Sequence, residues 1–213
     1  MKLYGYWRSS AAYRVRIALH LKGLAFESLP VHLVKDGGEQ HKAAYIELNP
    51  THLVPTLVDN DVVLHQSMAI IEYLDDKHPE VALYPDNIVD RAKVKALALD
   101  VACEIHPVNN LRVQQYLAKN LSISEANKLA WSHHWMALGF TAIEQQLATS
   151  AGRYCFGDNI TMADICLVPQ VYNAKRFNLD MTAFPHINRV VEQCDQHAAF
   201  IAALPENQAD AQR

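Results

Sequence analysis

The stretch Leu53 to Leu64 reads L-V-P-T-L-V-D-N-D-V-V-L, and the first half of the fold turns on it. Leu53 to Val58 is rich in β-formers, Asp59-Asn60-Asp61 is turn chemistry, and Val62 to Leu64 resumes a strand, so the run predicts two strands joined by a tight turn. Pro55 lies inside it. A proline lacks the N–H that a ladder needs, so on entry to a strand it marks an edge, a bend or a cis peptide bond.

On the N-terminal side, Leu3 to Tyr6 is a short apolar segment, and Ala11, Ala12, Val15, Ala18 and Leu19 have helical spacing. That helix runs from Ala11 to Lys22 and is stopped by Gly23. Phe26 to Leu33 alternates as a strand, Lys35-Asp36-Gly37-Gly38 is a loop, and a short helix from Gln40 to Glu47 ends before Asn49-Pro50. On the other side, His65-Gln66-Ser67 leads into a helix with Ile70, Ile71 and Leu74 as its apolar stripe. The order is β-α-β-α-β-β-α, a mixed four-stranded sheet with helices. A proline before the third strand of such a unit suggests a thioredoxin-like domain over residues 1–80.

Pro79 and Pro85 bracket a stretch without periodicity, and residues 81–88 are read as a linker. Beyond it the patterns are helical: Asp90 to Lys119, Ser124 to Ala148, Thr161 to Ala174 and His186 to Ala199. Residues 89–213 are therefore expected to form an all-α domain, which makes the chain α+β, and the polar tail Pro205 to Arg213 is expected to fray. Thr161-Met162-Ala163-Asp164 is a capping box flanked by Ile160 and Ile165, read as purely structural.

The 213 residues are 50% hydrophobic and 20% charged, an ordinary globular balance. A formal net charge of -4 with no long basic tract argues against nucleic acid as a partner. No apolar run approaches the roughly 18 residues of a membrane span, and Met1 leads straight into structured sequence, so the expected location is the cytoplasm. Cys103, Cys155, Cys166 and Cys194 are widely spaced and read as small core residues. None of the 11 histidines has a zinc-ligand spacing to Cys, Asp or Glu, so no metal site is expected.

Ser9 and Ser10 sit at a strand-to-helix corner with Arg8, Arg14 and Arg16 around it. Unpaired N–H groups and the macrodipole favour a thiolate, phosphate or carboxylate there, although an ordinary N-cap uses the same residues. Three separated motifs then carry a resemblance: Val54-Pro55-Thr56-Leu57, Gln66-Ser67-Met68-Ala69-Ile70-Ile71-Glu72-Tyr73-Leu74, and Gly157-Asp158-Asn159-Ile160-Thr161-Met162-Ala163-Asp164. Together they resemble the glutathione transferases. Ser9-Ser10 with Tyr13 to Leu19, Lys35 to Gly38, Leu167-Val168-Pro169-Gln170 and Arg176-Phe177 narrow the likeness to the zeta class, the maleylacetoacetate and maleylpyruvate isomerase family.

The resemblance implies a glutathione cofactor with its sulfur at Ser9 and Ser10, the catalytic pair, with Ser9 the favoured direct donor. It also implies a cysteinyl unit on the backbone of Val54, a γ-glutamyl end at Gln66 and Ser67, and a glycyl end at Gln40. His106, Asn109 and Asn110 would approach glutathione from the helical domain, whose His106-Pro107-Val108-Asn109-Asn110-Leu111-Arg112 run is unusual for a helix interior. His106 and Asn110, four apart, are expected on one helix face. Arg8, Arg112 and Arg176 would hold the carboxylates of a small dicarboxylic keto-acid in one cleft.

Plainer readings stand beside these: an edge-strand valine, an N-cap pair at Gln66-Ser67, an exposed Gln40, a polar surface kink at Pro107, and Arg176 as a partner for a helix C-terminus. The implied reaction is cis-trans isomerisation of maleylacetoacetate by reversible thiolate addition and elimination. Maleylpyruvate isomerisation, general transferase action on halogenated acids, and a non-catalytic scaffold are the alternatives. The resemblance also implies a homodimer. The chain departs from the class pattern Ser-Ser-Cys at Ala11, so any nucleophilic thiol at that corner has to come from glutathione.

Overall fold

The computed structural model describes residues 1–212, organised as two units: residues 1–82 with 196–212, and Leu83–Asp195. In the first, β1 (Lys2–Gly5), β2 (Glu27–Pro30), β3 (Thr56–Asp59) and β4 (Val62–His65) form one sheet in the order β2-β1-β3-β4. The β1–β2 pair is parallel and the other two are antiparallel, with Tyr4 opposite Thr56 and Thr56 opposite His65. This is the mixed four-stranded sheet expected from the sequence. The helices α1 (Ser10–Leu21), α2 (Ala43–Ile46) and α3 (Ser67–Lys77) complete its chain order up to residue 82.

Helix α1 is the heart of this core. Ala12, Val15, Ile17, Ala18 and Leu19 are fully buried, and each large aliphatic side chain so placed contributes about 1.5–3 kcal/mol. Gly5 lets the helix come close: a Cβ there would meet the Ala12 Cβ at 3.2 Å. Pro55 precedes Thr56, the first paired residue of the interior strand β3, so its missing donor interrupts no ladder. The Val54–Pro55 bond is cis.

The second unit contains α4 (Ile88–Leu99), α5 (Leu111–Lys119), α6 (Glu125–Ser150), α7 (Met162–Arg176) and α8 (Pro185–Asp195). Asn87 and Ser124 cap α4 and α6 through their side chains. The Thr161–Asp164 box starts α7, with Asp164 accepting the Thr161 amide at 2.8 Å and the Cys155 amide at 2.8 Å. Burial pushes the Asp164 carboxyl up while these amides pull it down.

Three expectations are corrected here. The helix expected from Asp90 to Lys119 is broken: after α4 comes a π-helical segment, Asp100–Ile105, then a 3-10 turn, Pro107–Asn109. Pro107 has no N–H to give the helical ladder, and it stands here at the first position of the 3-10 turn, where no such donor is needed. The pattern expected from His186 to Ala199 divides into α8 and α9 (Ala198–Ala203), and α9 belongs to the first unit. Arg16 Nε donates to the Ala203 carbonyl at 3.1 Å, and α1 packs on α9. The tail is tied down as well: Pro205 is buried, and Asp210 accepts the Trp7 amide at 3.1 Å. Arg213, included in the frayed-tail expectation, lies outside the described residues.

Candidate functional site

Ser9 stands just outside α1 in extended backbone as its N-cap, with Oγ accepting the Ala12 amide at 3.2 Å. A hydroxyl that accepts one bond still has its own hydrogen to give, so capping leaves Ser9 a donor. Ser10, the first helical residue, is buried, whereas Ser9 is partly open to solvent. No acidic side chain occupies the first turn. This corner suits a thiolate: a hydroxyl hydrogen, first-turn N–H groups and the positive end of a helix dipole.

The three arginines around it separate by role. Arg8 lies with its guanidinium 4.9 Å from the Trp7 ring centre and Nη2 3.3 Å from the Tyr6 hydroxyl. Arg16 is a buried staple, donating to Trp7 O at 3.0 Å and to Ala203 O. Arg14 is also buried and donates from Nη1 to Ser67 Oγ at 3.3 Å, joining α1 to the start of α3. Gln66, before that helix, has φ 70° and makes no side-chain cap.

Val54 is held from behind. The Leu53 carbonyl next to it accepts from the Tyr45 hydroxyl at 2.6 Å and from Asn49 Nδ2 at 2.8 Å, and both partners also reach Thr56 Oγ1. Burial raises the Tyr45 phenol. Sequence reading missed Tyr45 and Asn49; an asparagine before a proline, Asn49-Pro50, is their one visible signal. Gln40 is also different from the exposed loop residue weighed above, being only 6% exposed. Its Nε2 donates to Leu33 O at 3.2 Å, and Oε1 has no partner among the described residues. Gly38 stands beside it at φ 102°, a backbone conformation that L side chains rarely adopt and that favours glycine.

In the second unit, His106 ends the π-helical segment and Asn110 is extended, so the two do not share a helix face. The intervening turn brings them together all the same, with Asn110 Nδ2 3.5 Å from His106 Nε2. Asn110 Oδ1 caps α5 by accepting the Arg112 amide at 3.2 Å, and the Arg112 side chain is exposed. Asn109 turns inward, buried, with Nδ2 on Ile105 O at 3.0 Å. Arg176 lies 4.5 Å from the Phe177 ring centre and donates to Asn173 Oδ1 at 3.0 Å. Next to it, Phe177 O accepts from His133 Nε2 of α6 at 2.7 Å.

The set of donors and acceptors fits glutathione. The first unit offers the Ser9 hydroxyl, the Val54 backbone and the Ser67 helix start, plus two buried polar atoms without partners among the described residues, Gln40 Oε1 and Trp7 Nε1. Among the described residues, no group of three or more His, Cys, Asp or Glu is placed to hold a metal ion. No described helix is long and apolar enough to cross a membrane. Burial pushes the Cys155 and Cys194 thiols far up, so they stay protonated and unreactive.

Comparison with known proteins gives a consistent picture. Residues 3–82 match the family "Glutathione S-transferase, N-terminal domain" and residues 138–193 match "Glutathione S-transferase, C-terminal domain". A probable maleylacetoacetate isomerase of Vibrio cholerae is 52% identical, over 98% of this chain and 97% of its own. Among solved structures, a holo maleyl pyruvate isomerase, a bacterial zeta-class glutathione-S-transferase, superposes with a TM-score of 0.97 at 47% identity, covering 100% of both chains. A maleylacetoacetate isomerase from Methylobacterium extorquens AM1, solved with malonate and glutathione bound, gives a TM-score of 0.96 at 36% identity over 100% of both chains.

Proposed function

Because the chain belongs to the zeta-class glutathione transferases, the family of the maleylacetoacetate and maleylpyruvate isomerases, we propose that it isomerises a maleyl keto-acid from cis to trans with glutathione as cofactor. One observation carries the reading for this chain: Ser9 caps α1 with its oxygen and keeps its hydrogen for a sulfur at the same helix start. Bound glutathione supplies a thiol that adds reversibly to the maleyl double bond, which frees it to rotate. The chain's part is to hold that thiol ionised and to bind the charges around it.

Ser9 donates to the sulfur and the dipole of α1 favours its anionic form, lowering a thiol from its usual value near about 8.5. Ser10 shapes the same turn. Val54 offers backbone N–H and C=O to the cysteinyl unit, Gln66 and Ser67 take the γ-glutamyl end, and Gln40 the glycyl end. His106 and Asn110 complete the cofactor contacts. Asn109, turned onto Ile105 O, supports their turn from inside.

The substrate carboxylates are assigned to Arg8, Arg112 and Arg176, whose planar forks suit a dianion. They also provide fixed positive charge where negative charge develops. Maleylacetoacetate is the favoured substrate, in aromatic amino-acid breakdown; maleylpyruvate, from gentisate breakdown, differs only at the far end of the pocket. Activity on halogenated acids is a further possibility for the same thiol chemistry. We further propose a cytoplasmic homodimer, with residues 1–80 as the glutathione-binding domain, 81–88 as linker, and the helical domain that follows walling the second substrate. Rates on both maleyl acids, with and without glutathione, test the function: turnover that needs the cofactor without consuming it supports it, and equal rates in its absence refute it.

A further inference from the structure

We infer that Trp131 and Gly139 of α6 are positioning residues for the His106–Asn110 turn, and so set glutathione affinity without touching glutathione. The inference rests on the assignment of His106 and Asn110 to the cofactor. Three observations within the second unit carry it.

The first is how the backbone is rerouted. His106 N–H reaches back five residues to Val101 O at 2.9 Å, Pro107 has no N–H, and the Asn109 amide goes to His106 O at 3.2 Å. The Arg112 amide is taken by Asn110 Oδ1. The carbonyls of Ile105 and Val108 therefore lack the i+4 amide partners they would have in an α-helix. Ile105 O is capped by Asn109 Nδ2, from within the segment.

The second is that Val108 O is capped from outside: Trp131 Nε1 donates to it at 2.8 Å. The donor is a rigid indole, itself braced edge-on by Trp135 with ring centres 5.8 Å apart. The third is Gly139. A Cβ there would overlap Cγ1 and Cδ1 of Ile105, the residue before His106, and Ile105 is 1% exposed and has no open side to retreat to. Positions 131, 135 and 139 are spaced by four, so they form one stripe along about 12 Å of α6. At one end that stripe supplies a hydrogen bond, and at the other it supplies space. The two together fix residues 105–108 against a long helix, and with them the height and tilt of His106.

The test uses the full chain and steady-state kinetics with glutathione varied. Trp131→Phe keeps the ring and removes the donor; it is expected to raise KM for glutathione about threefold to tenfold, the weight of one hydrogen bond, with kcat changed less than about twofold. Gly139→Ala is expected to act likewise, and Ile105→Ala to rescue it by clearing the overlapped atoms. In a His106→Ala background the Trp131→Phe effect should largely disappear, because both act through one contact. An unchanged KM in Trp131→Phe, or an effect that adds in full to His106→Ala, overturns the inference. Should Gly139→Ala fail to fold, the Trp131→Phe pair of measurements decides alone. The unsubstituted protein separates the two levels: if it shows no saturable dependence on glutathione, the functional reading itself falls, and the inference with it.

Discussion

Ser9 caps α1, and in the proposed function the same hydroxyl also serves the glutathione sulfur; substitutions can separate the two roles. Ser9→Ala removes cap and donor together, so it should cost about 0.5–2 kcal/mol of stability and also lower turnover. Ser9→Asp keeps a capping oxygen but puts a negative charge where the thiolate belongs. We expect its melting temperature to stay near that of the unsubstituted protein while activity falls at least about ten- to hundredfold, the worth of a charged hydrogen bond. Thermal melts beside rate assays check this; an active Ser9→Asp enzyme would remove Ser9 from the chemistry. A second pair of residues controls the backbone at Val54. Asn49→Ala removes one of the two donors on the part-buried Leu53 carbonyl and should destabilise by about 0.5–1.5 kcal/mol, read from denaturant melts, with a raised KM for glutathione.

Strand β3 is tied to α3 through Asp59, which accepts from Lys77 Nζ and from the Tyr73 hydroxyl at 2.9 Å. The Lys77 ammonium is the main reason the Asp59 carboxyl is held below its usual value. A carboxyl whose native value is depressed stabilises the fold fully above the unfolded carboxylate range, and that contribution disappears as pH falls through the native value. Melting temperature should therefore drop as pH is taken from about 5 towards about 2, and Asp59→Asn should start lower at neutral pH and flatten that slope. An unaltered slope would show that other carboxylates govern acid stability. Most elements were legible from residue pattern alone: the β3–β4 run and the Thr161–Asp164 box carry local turn and cap chemistry, and α3 shows in its apolar stripe of Ile70, Ile71 and Leu74. The break between α4 and α5 was signalled by Pro107, but the π-helical form of Asp100–Ile105 has no sequence signature, and the closeness of Ile105 to Gly139 joins residues far apart in the chain. Burial of Gln40 was illegible for the same reason, since Gly38 and Leu33 enclose it only after folding.

Periodicity predicts that a segment is helical, not which core receives its apolar face. For that reason residues 196–212 were expected with the helical domain and are found with the first unit, where Phe200 is fully buried. Phe200→Ala should cost about 3–5 kcal/mol and speed amide exchange in α1 while leaving α4 and α7 unaffected; faster exchange in α4 and α7 instead would contradict this division. In the proposed function the two units bring different groups to the chemistry. The first holds Ser9, Val54 and Ser67 on a sheet-and-helix frame, and the second carries the His106–Asn110 turn and Arg176 along one long helix. The central claim is that glutathione lends this chain its nucleophile and is returned unchanged. The most direct measurement is turnover of maleylacetoacetate with free thiol followed alongside. The account predicts many trans products per glutathione, constant thiol, and no turnover without it; thiol consumed one for one, or isomerisation at full rate without glutathione, would contradict it.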